Sequence, residues 1–195
     1  QKVMEAWEIA RDERSDLIAF PEMFITGYNP QDLILKNAFQ KAATSSIEQI
    51  AAACSQGPAI AIGGPFCDGD KLYNSYYILA GGKIQAVIKK HHLPNEEVFD
   101  EVRLFSSGKV DGPFQIGKMR IGSPICEDAW HTDIVETLAE TGAQTLLVPN
   151  GSPYYRGKTE IRQNVMVSRV IESGLPLVYL NPVSYTHLRA HETAR

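Results

Sequence analysis

Between residues 59 and 93 the chain carries three apolar, β-branched segments that two tight turn signals cut apart, and few folds accommodate that pattern. Residues 59–66, 71–80 and 84–93 read as strands, and Asp68-Gly69-Asp70 and Gly81-Gly82 read as the turns between them. Helical patterns flank the series. Val3, Trp7 and Ile9-Ala10 stand at helical spacing, so residues 1–14 read as the end of an amphipathic helix. A short apolar run at 17–20 stops at Pro21, as a buried strand does, and residues 31–53 form a helix that Gly57-Pro58 ends. Downstream, 119–126 is a strand, Thr132 caps a helix that Gly142 terminates, and 145–148 is a strand. A helix over 159–173, closed by Gly174, and a strand over 177–180 complete the pattern. Helices at both ends of a strand series predict an α/β layered fold around a substantial sheet.

Composition narrows the function. With 195 residues there is enough chain for one sizeable core, and 44% hydrophobic with 22% charged residues is ordinary for a soluble globular protein. A net charge of -4 offers no basic surplus for a nucleic acid or an anionic membrane, and no apolar run approaches the roughly 20 residues that span a bilayer. Cys54, Cys67 and Cys126 are too few and too scattered for a disulfide framework, which suits a reducing cytoplasm. The first residues lack the apolar core of a signal peptide.

Three reactive side chains occupy equivalent places, each at the C-terminal end of a predicted strand. Glu22 follows LIAFP, Lys90 follows KIQAVIK and Cys126 follows RIGSPI. In layered α/β folds such positions lie at the rim of the sheet, where a substrate crevice forms. A carboxylate, an ammonium and a thiol that converge there can attack an amide or nitrile carbon. The carboxylate takes the thiol proton, the thiolate adds to the carbon, and the ammonium stabilises the negative oxygen. A nearby cation also favours the thiolate. Taken singly, Cys126 reads as a buried structural cysteine, Glu22 as a capping or salt-bridge residue, and Lys90 as a solvated lysine beside Lys89.

The segments PEMFITGY (21–28), KKHHLPN (89–95), VFDEVRLF (98–105), ICEDAW (125–130) and NGSPYYRGK (150–158) occur in this order. Together they resemble the glutaminase domain of glutamine-dependent NAD synthetases, a branch of the nitrilase superfamily, over residues 1–183. The resemblance implies a nitrilase-like αββα sandwich, truncated at both ends, whose expected first strand precedes this chain. It also implies Glu22 as general base, Lys90 as oxyanion stabiliser and Cys126 as nucleophile. Glu101 would support the lysine, and the backbone N–H of Glu127 would complete the oxyanion hole. Tyr28 and Phe99 would line the pocket, with Glu127 and Ser152 recognising the amino-acid end of glutamine. An acid such as Glu127 suits an α-ammonium, and Lys158 or Arg162 suits a carboxylate.

By the same resemblance, ammonia released here passes to a synthetase domain that amidates an adenylated nicotinic acid dinucleotide with ATP and magnesium. The full enzyme is expected to be a homo-oligomer. No SGGxDS-type ATP loop occurs in this sequence, so the chain supplies the amidohydrolase half and needs no cofactor or metal of its own. Glu96-Glu97 departs from the Tyr-Gly that the family places before VFDE.

Residues 184–195 (SYTHLRAHETAR) resemble translated cloning sequence, and His187 and His191 lack the glutamate of a metalloprotease helix. His91 and His92, if they continue the strand, point to opposite faces and cannot share an ion. Gly63-Gly64-Pro65 and Gly81-Gly82 read as turns, since neither gives GxxxxGK. The residues leave two other readings. One is a free-standing amidase such as an ω-amidase or carbamoylase, which the LPN, VFDE and CEDxW words disfavour. The other is an inactive structural homologue, against which the intact Glu22, Lys90 and Cys126 stand.

Overall fold

Alternation along the central strands sets the layering. The computed structural model describes residues 1–96, 99–152 and 158–182, apart from the side chain of Lys158. Strands β1 (Leu17–Ala19), β2 (Ala59–Asp68), β3 (Lys71–Ala80) and β4 (Lys83–Lys89) form one sheet in that order; β1 lies parallel to β2 and the others are antiparallel. Side chains on successive strand residues face opposite sides. Ile60, Ile62, Tyr77 and Leu79 therefore pack under helices α1 (Lys2–Asp12) and α2 (Asn37–Ala53), against Val3, Trp7, Ile47 and Ala51. Ala61, Tyr76 and Ile78 face the other way.

There they meet Phe114, Ile121 and Leu147 of a second sheet. That sheet orders β5 (Phe114–Ile116), β6 (Met119–Gly122), β7 (Thr145–Pro149) and β8 (Leu177–Leu180), with β6, β7 and β8 parallel. Its outer face carries Leu146 and Val148 under α4 (Thr132–Glu140) and α5 (Lys158–Ser173), through Ile134, Leu138 and Met166. Two sheets face to face with helices outside both make an αββα sandwich, the predicted class. Among the described residues, no helix is long and apolar enough to cross a membrane.

Three core aromatics bring their polar ends to backbone carbonyls, as a dry core favours. Tyr76 Oη donates to Phe20 O at 2.8 Å, Tyr77 Oη to Pro65 O at 2.6 Å, and Trp7 Nε1 to Pro58 O at 2.9 Å.

The structure corrects several predicted boundaries. The helix expected over 31–53 is two pieces, a 3-10 turn at Gln31–Leu35 and then α2, because Lys36 between them is extended at φ -84°, ψ 120°. The strand expected over 84–93 ends at Lys89. The one expected over 119–126 ends at Gly122, since Pro124 has no N–H for the ladder. Thr132 is the first helical residue of α4, and His131 is the cap, with no side-chain capping bond. Strand β5 and the one-turn helix α3 (Glu101–Leu104) went unpredicted; unlike the equally short β1 and β8, neither is an unbroken apolar run, since Gln115 divides β5 and Glu101 and Arg103 alternate with apolar residues in α3.

Gly63-Gly64-Pro65, expected as a turn, lies inside β2 in register with Tyr76, Ser75 and Asn74, and Gly63 is where the first sheet fixes the segment after β1. Its N–H donates to Pro21 O at 3.2 Å, and Ile25 N donates to Gly63 O at 3.1 Å. A methyl at Gly63 would collide with Met23 N and stand 2.6 Å from Pro21 O, so the chain on both sides of Glu22 would have to move. Gly63→Ala is expected to cost about 2 kcal/mol, the usual size of overpacking, measurable by urea denaturation.

Candidate active site

Four chain segments leave the C-terminal ends of strands and converge at the rim of the two sheets. Glu22 follows β1, Lys90 directly follows β4, Cys126 follows β6, and Gly151 follows β7. Lys90 keeps the sheet register by donating its N–H to Asn74 O at 2.9 Å. Its side chain is fully buried, with Nζ 2.8 Å from Glu22 Oε1 and 2.9 Å from Glu101 Oε2. Asn74 Nδ2 donates to Oε1 of both carboxylates, at 2.8 Å and 3.1 Å. Tyr28 Oη donates to Glu101 Oε1 at 2.8 Å, and the Gly151 N–H donates to Glu22 Oε2 at 2.8 Å. The Tyr28 ring lies 6.0 Å from that of Phe99.

Two carboxylates share one ammonium, and burial decides how the charges settle. Desolvation alone would push Lys90 down, but Glu101 and Glu22 hold it well above the usual lysine range, so it stays cationic. Burial raises the Glu101 carboxyl, and Lys90 offsets only part of that. Burial and the Tyr28–Glu101 contact also push the Tyr28 phenol far up, so Tyr28 remains a donor.

Cys126 is 4% exposed and opens the 3-10 turn Cys126–Trp130, with φ at +50°. A β-carbon in this left-handed region is strained by about 1–3 kcal/mol. Met23, beside Glu22, also has φ +50°, so both segments turn sharply at the site. Burial first, then the Glu22 charge, push the Cys126 thiol well above its usual value, while Lys90 and the Gly151 N–H pull the other way. Lys90 thus favours the thiolate, but burial outweighs it and the resting side chain is a thiol.

Asp128 was missed by sequence reasoning, although it lies inside the ICEDAW word. It is 3% exposed; its Oδ1 accepts from His91 N at 3.1 Å and His92 N at 2.7 Å, and its Oδ2 from Ile125 N at 3.1 Å. One carboxylate thereby ties the residues after Lys90 to the residue before Cys126. Asp128→Ala strands three backbone donors and is expected to cost about 3 kcal/mol in urea denaturation. Asn74 and Gly151 were missed as well. The signal for Asn74 was an amide in the middle of an otherwise buried strand.

The other predicted residues are less convergent. The Glu127 N–H belongs to the first turn of Cys126–Trp130, where N–H groups have no partner within the helix. The Glu127 side chain points along that turn to His131, 3.4 Å away, and reaches none of the buried charges. Ser152 is buried and joined to Asn181, its N–H donating to Asn181 Oδ1 at 3.0 Å. The Arg162 guanidinium lies 5.4 Å from the Tyr179 ring centroid, and its Nε is buried without a hydrogen bond. Lys158 opens α5, but its side chain lies outside the described residues, as do Glu97, His187 and His191. His91 and His92 stand beyond the end of β4, so strand alternation does not separate them. Their rings meet edge to face at 4.7 Å.

The carbon-nitrogen hydrolase profile matches residues 1–192. A glutamine-dependent NAD(+) synthetase of Rhodobacter capsulatus is 50% identical over 183 residues, 94% of this chain and 33% of that protein. The structure of glutamine-dependent NAD+ synthetase from Acinetobacter baumannii matches with a TM-score of 0.84 at 32% identity, over 94% of this chain and 35% of that one. An amidase of the nitrilase superfamily from Nesterenkonia sp. AN1 matches with a TM-score of 0.77 at 24% identity, over 92% of this chain and 68% of that one, which speaks to the fold alone. The chain spans about a third of the length of the curated relatives it matches.

Proposed function

The chain belongs to the carbon-nitrogen hydrolase family, and we propose that it is the glutamine-hydrolysing domain of a glutamine-dependent NAD synthetase. The observation that carries the proposal is the fully buried Glu22–Lys90–Glu101 cluster at the strand ends, with the buried Cys126 opening the turn that follows β6 at the same rim. A structural salt bridge needs no thiol on a strained turn at the same strand ends. The relatives with matching chemistry in their names add the choice of glutamine.

The reaction follows from the protonation states. Cys126 rests as a thiol, so its proton passes to Glu22 as the sulfur attacks the side-chain amide carbon of glutamine. The developing oxyanion is met by the Lys90 ammonium and the Glu127 N–H, the kind of fixed donors that lower such a barrier. Glu22 then gives its proton to the departing ammonia, which leaves a γ-glutamyl thioester on Cys126. Water, deprotonated by Glu22, cleaves the thioester to glutamate and restores the thiol. Glu101 keeps Lys90 charged and oriented through two elementary steps of opposite proton flow.

Tyr28 and Phe99 wall the pocket, and Glu127, Ser152, Lys158 and Arg162 are the groups offered to the amino-acid end. For Glu127 this requires its carboxylate to leave His131. The ammonia serves a synthetase domain that uses ATP and magnesium to amidate nicotinic acid adenine dinucleotide, in a cytoplasmic, homo-oligomeric enzyme.

The test compares glutamine, its α-keto analogue and butyramide at equal concentrations, using protein of the full length of the curated relatives. A site built to pair charged groups rejects substrates that lack them by orders of magnitude. Glutamine is expected to lead. Preference for the keto analogue would indicate an ω-amidase, and equal rates would remove the proposed clamp on the amino-acid end.

A further inference from the structure

The segment after Lys90 and the segment after Cys126 meet a second time, outside the buried cluster. His91 and His92 come from the first, and His131 and Asp133 from the second. One ligand atom from each of His91, His92 and Asp133 lies within 4.8 Å of those of the other two, and all three side chains are at least partly exposed. His92 Nε2 is 3.0 Å from both carboxylate oxygens of Asp133. Two ligand atoms on one tetrahedral zinc ion stand roughly 3.3 Å apart, so this pair needs little movement to share an ion.

His91 Nδ1 sits 2.7 Å from Gly108 O, where it can only be the donor. In a neutral ring the lone pair is then on Nε2, and a backbone carbonyl on the other nitrogen is the usual outer partner of a metal-bound histidine. The His92 ring is held by the stacked ring of His131, with centroids 3.8 Å apart and planes at 22°.

We infer that His91, His92 and Asp133 form a binding site for a borderline-soft divalent cation of the zinc type. Two imidazoles with one carboxylate select such an ion over magnesium or calcium, which take oxygen ligands. Three protein ligands leave a fourth position to water. The ion would bridge the two segments that Asp128 already joins from inside, which strengthens the hold between the Lys90 loop and the Cys126 turn. The site takes no part in amide hydrolysis and stands whether or not the proposed function does.

The experiment is calorimetric titration of chelator-treated protein with zinc chloride, with magnesium chloride as the control. About one equivalent of zinc is expected to bind and raise the melting temperature, while magnesium does neither. His92→Ala and Asp133→Ala should each weaken zinc binding at least about tenfold, the cost of losing even an outer partner. His92→Gln and Asp133→Asn, which preserve shape, serve if the alanine variants fold poorly by circular dichroism. Cys67→Ala, Cys126→Ala and the double variant His187→Ala, His191→Ala should bind zinc as the parent does. Absence of stoichiometric binding overturns the inference, as does binding that survives at His92 and Asp133 but disappears with the cysteines or with His187 and His191.

Discussion

Cys126→Ala is expected to reduce ammonia release from glutamine to background, a fall of at least about 10⁴-fold, whereas Cys54→Ala and Cys67→Ala keep near-parental rates. Cys54 and Cys126 are equally buried, so burial does not separate them and place does. Cys54 caps the C-terminus of α2 with its sulfur 3.8 Å from Met4 Sδ, and Cys67 sits exposed at the end of β2 beside Gln40. Neither approaches the Glu22–Lys90 cluster. Cys126 alone is coupled to both of those charges and to the Gly151 N–H. The fold should tolerate the substitution well, because alanine removes one sulfur from a wall shared with Ile125, Tyr76 and Leu147 and leaves the Asp128 bonds in place. A melting temperature close to the parent's, together with lost turnover, separates a chemical role from a structural one. Substantial ammonia release from the variant would remove the proposed mechanism.

What the sequence revealed, and what it hid, divides by the range of the interaction. The β2–β4 meander was legible because its signals are local, alternating apolar residues closed by Asp-Gly and Gly-Gly turns. Glu22, Lys90 and Cys126 were legible because each follows an apolar run. Their convergence is a property of the sheets and has no local signature. The roles of Asp128 and Asn74 were hidden for the same reason: each acts by bridging segments distant in sequence, Asp128 to His92 and Asn74 to Glu22 and Glu101. The break before Cys126 was written at Pro124, but the apolar run continued through Ile125 and masked it. The alternation argument for His91 and His92 failed because it assumed a strand that stops at Lys89. Glu127 divides in two, with its backbone at the open end of the Cys126 turn and its carboxylate turned to His131.

Lys90→Ala and Lys89→Ala should differ sharply, although the two residues are adjacent. The two lysines face opposite sides of the same sheet edge. Lys89 reaches outward to Asp68 at 3.0 Å and lies over the Tyr73 ring at 4.6 Å, with 24% of its side chain exposed. An ion pair of that kind is worth about 0–1 kcal/mol, so Lys89→Ala should shift stability by no more than that and leave turnover near the parent's. Lys90 has no solvent to fall back on. Its removal leaves Glu22 and Glu101 facing each other through Asn74 without a counter-ion, and breaking a buried pair this way costs about 3–5 kcal/mol. Loss of the oxyanion donor by itself lowers kcat by about 10²–10³. Urea denaturation gives the first quantity, and ammonia release per folded molecule gives the second. Equal effects at the two positions would mean that Lys89 shares the interior role. A large loss of stability at Lys90 with turnover unchanged would reduce the cluster to a structural ion pair and leave Cys126 without its electrostatic partner.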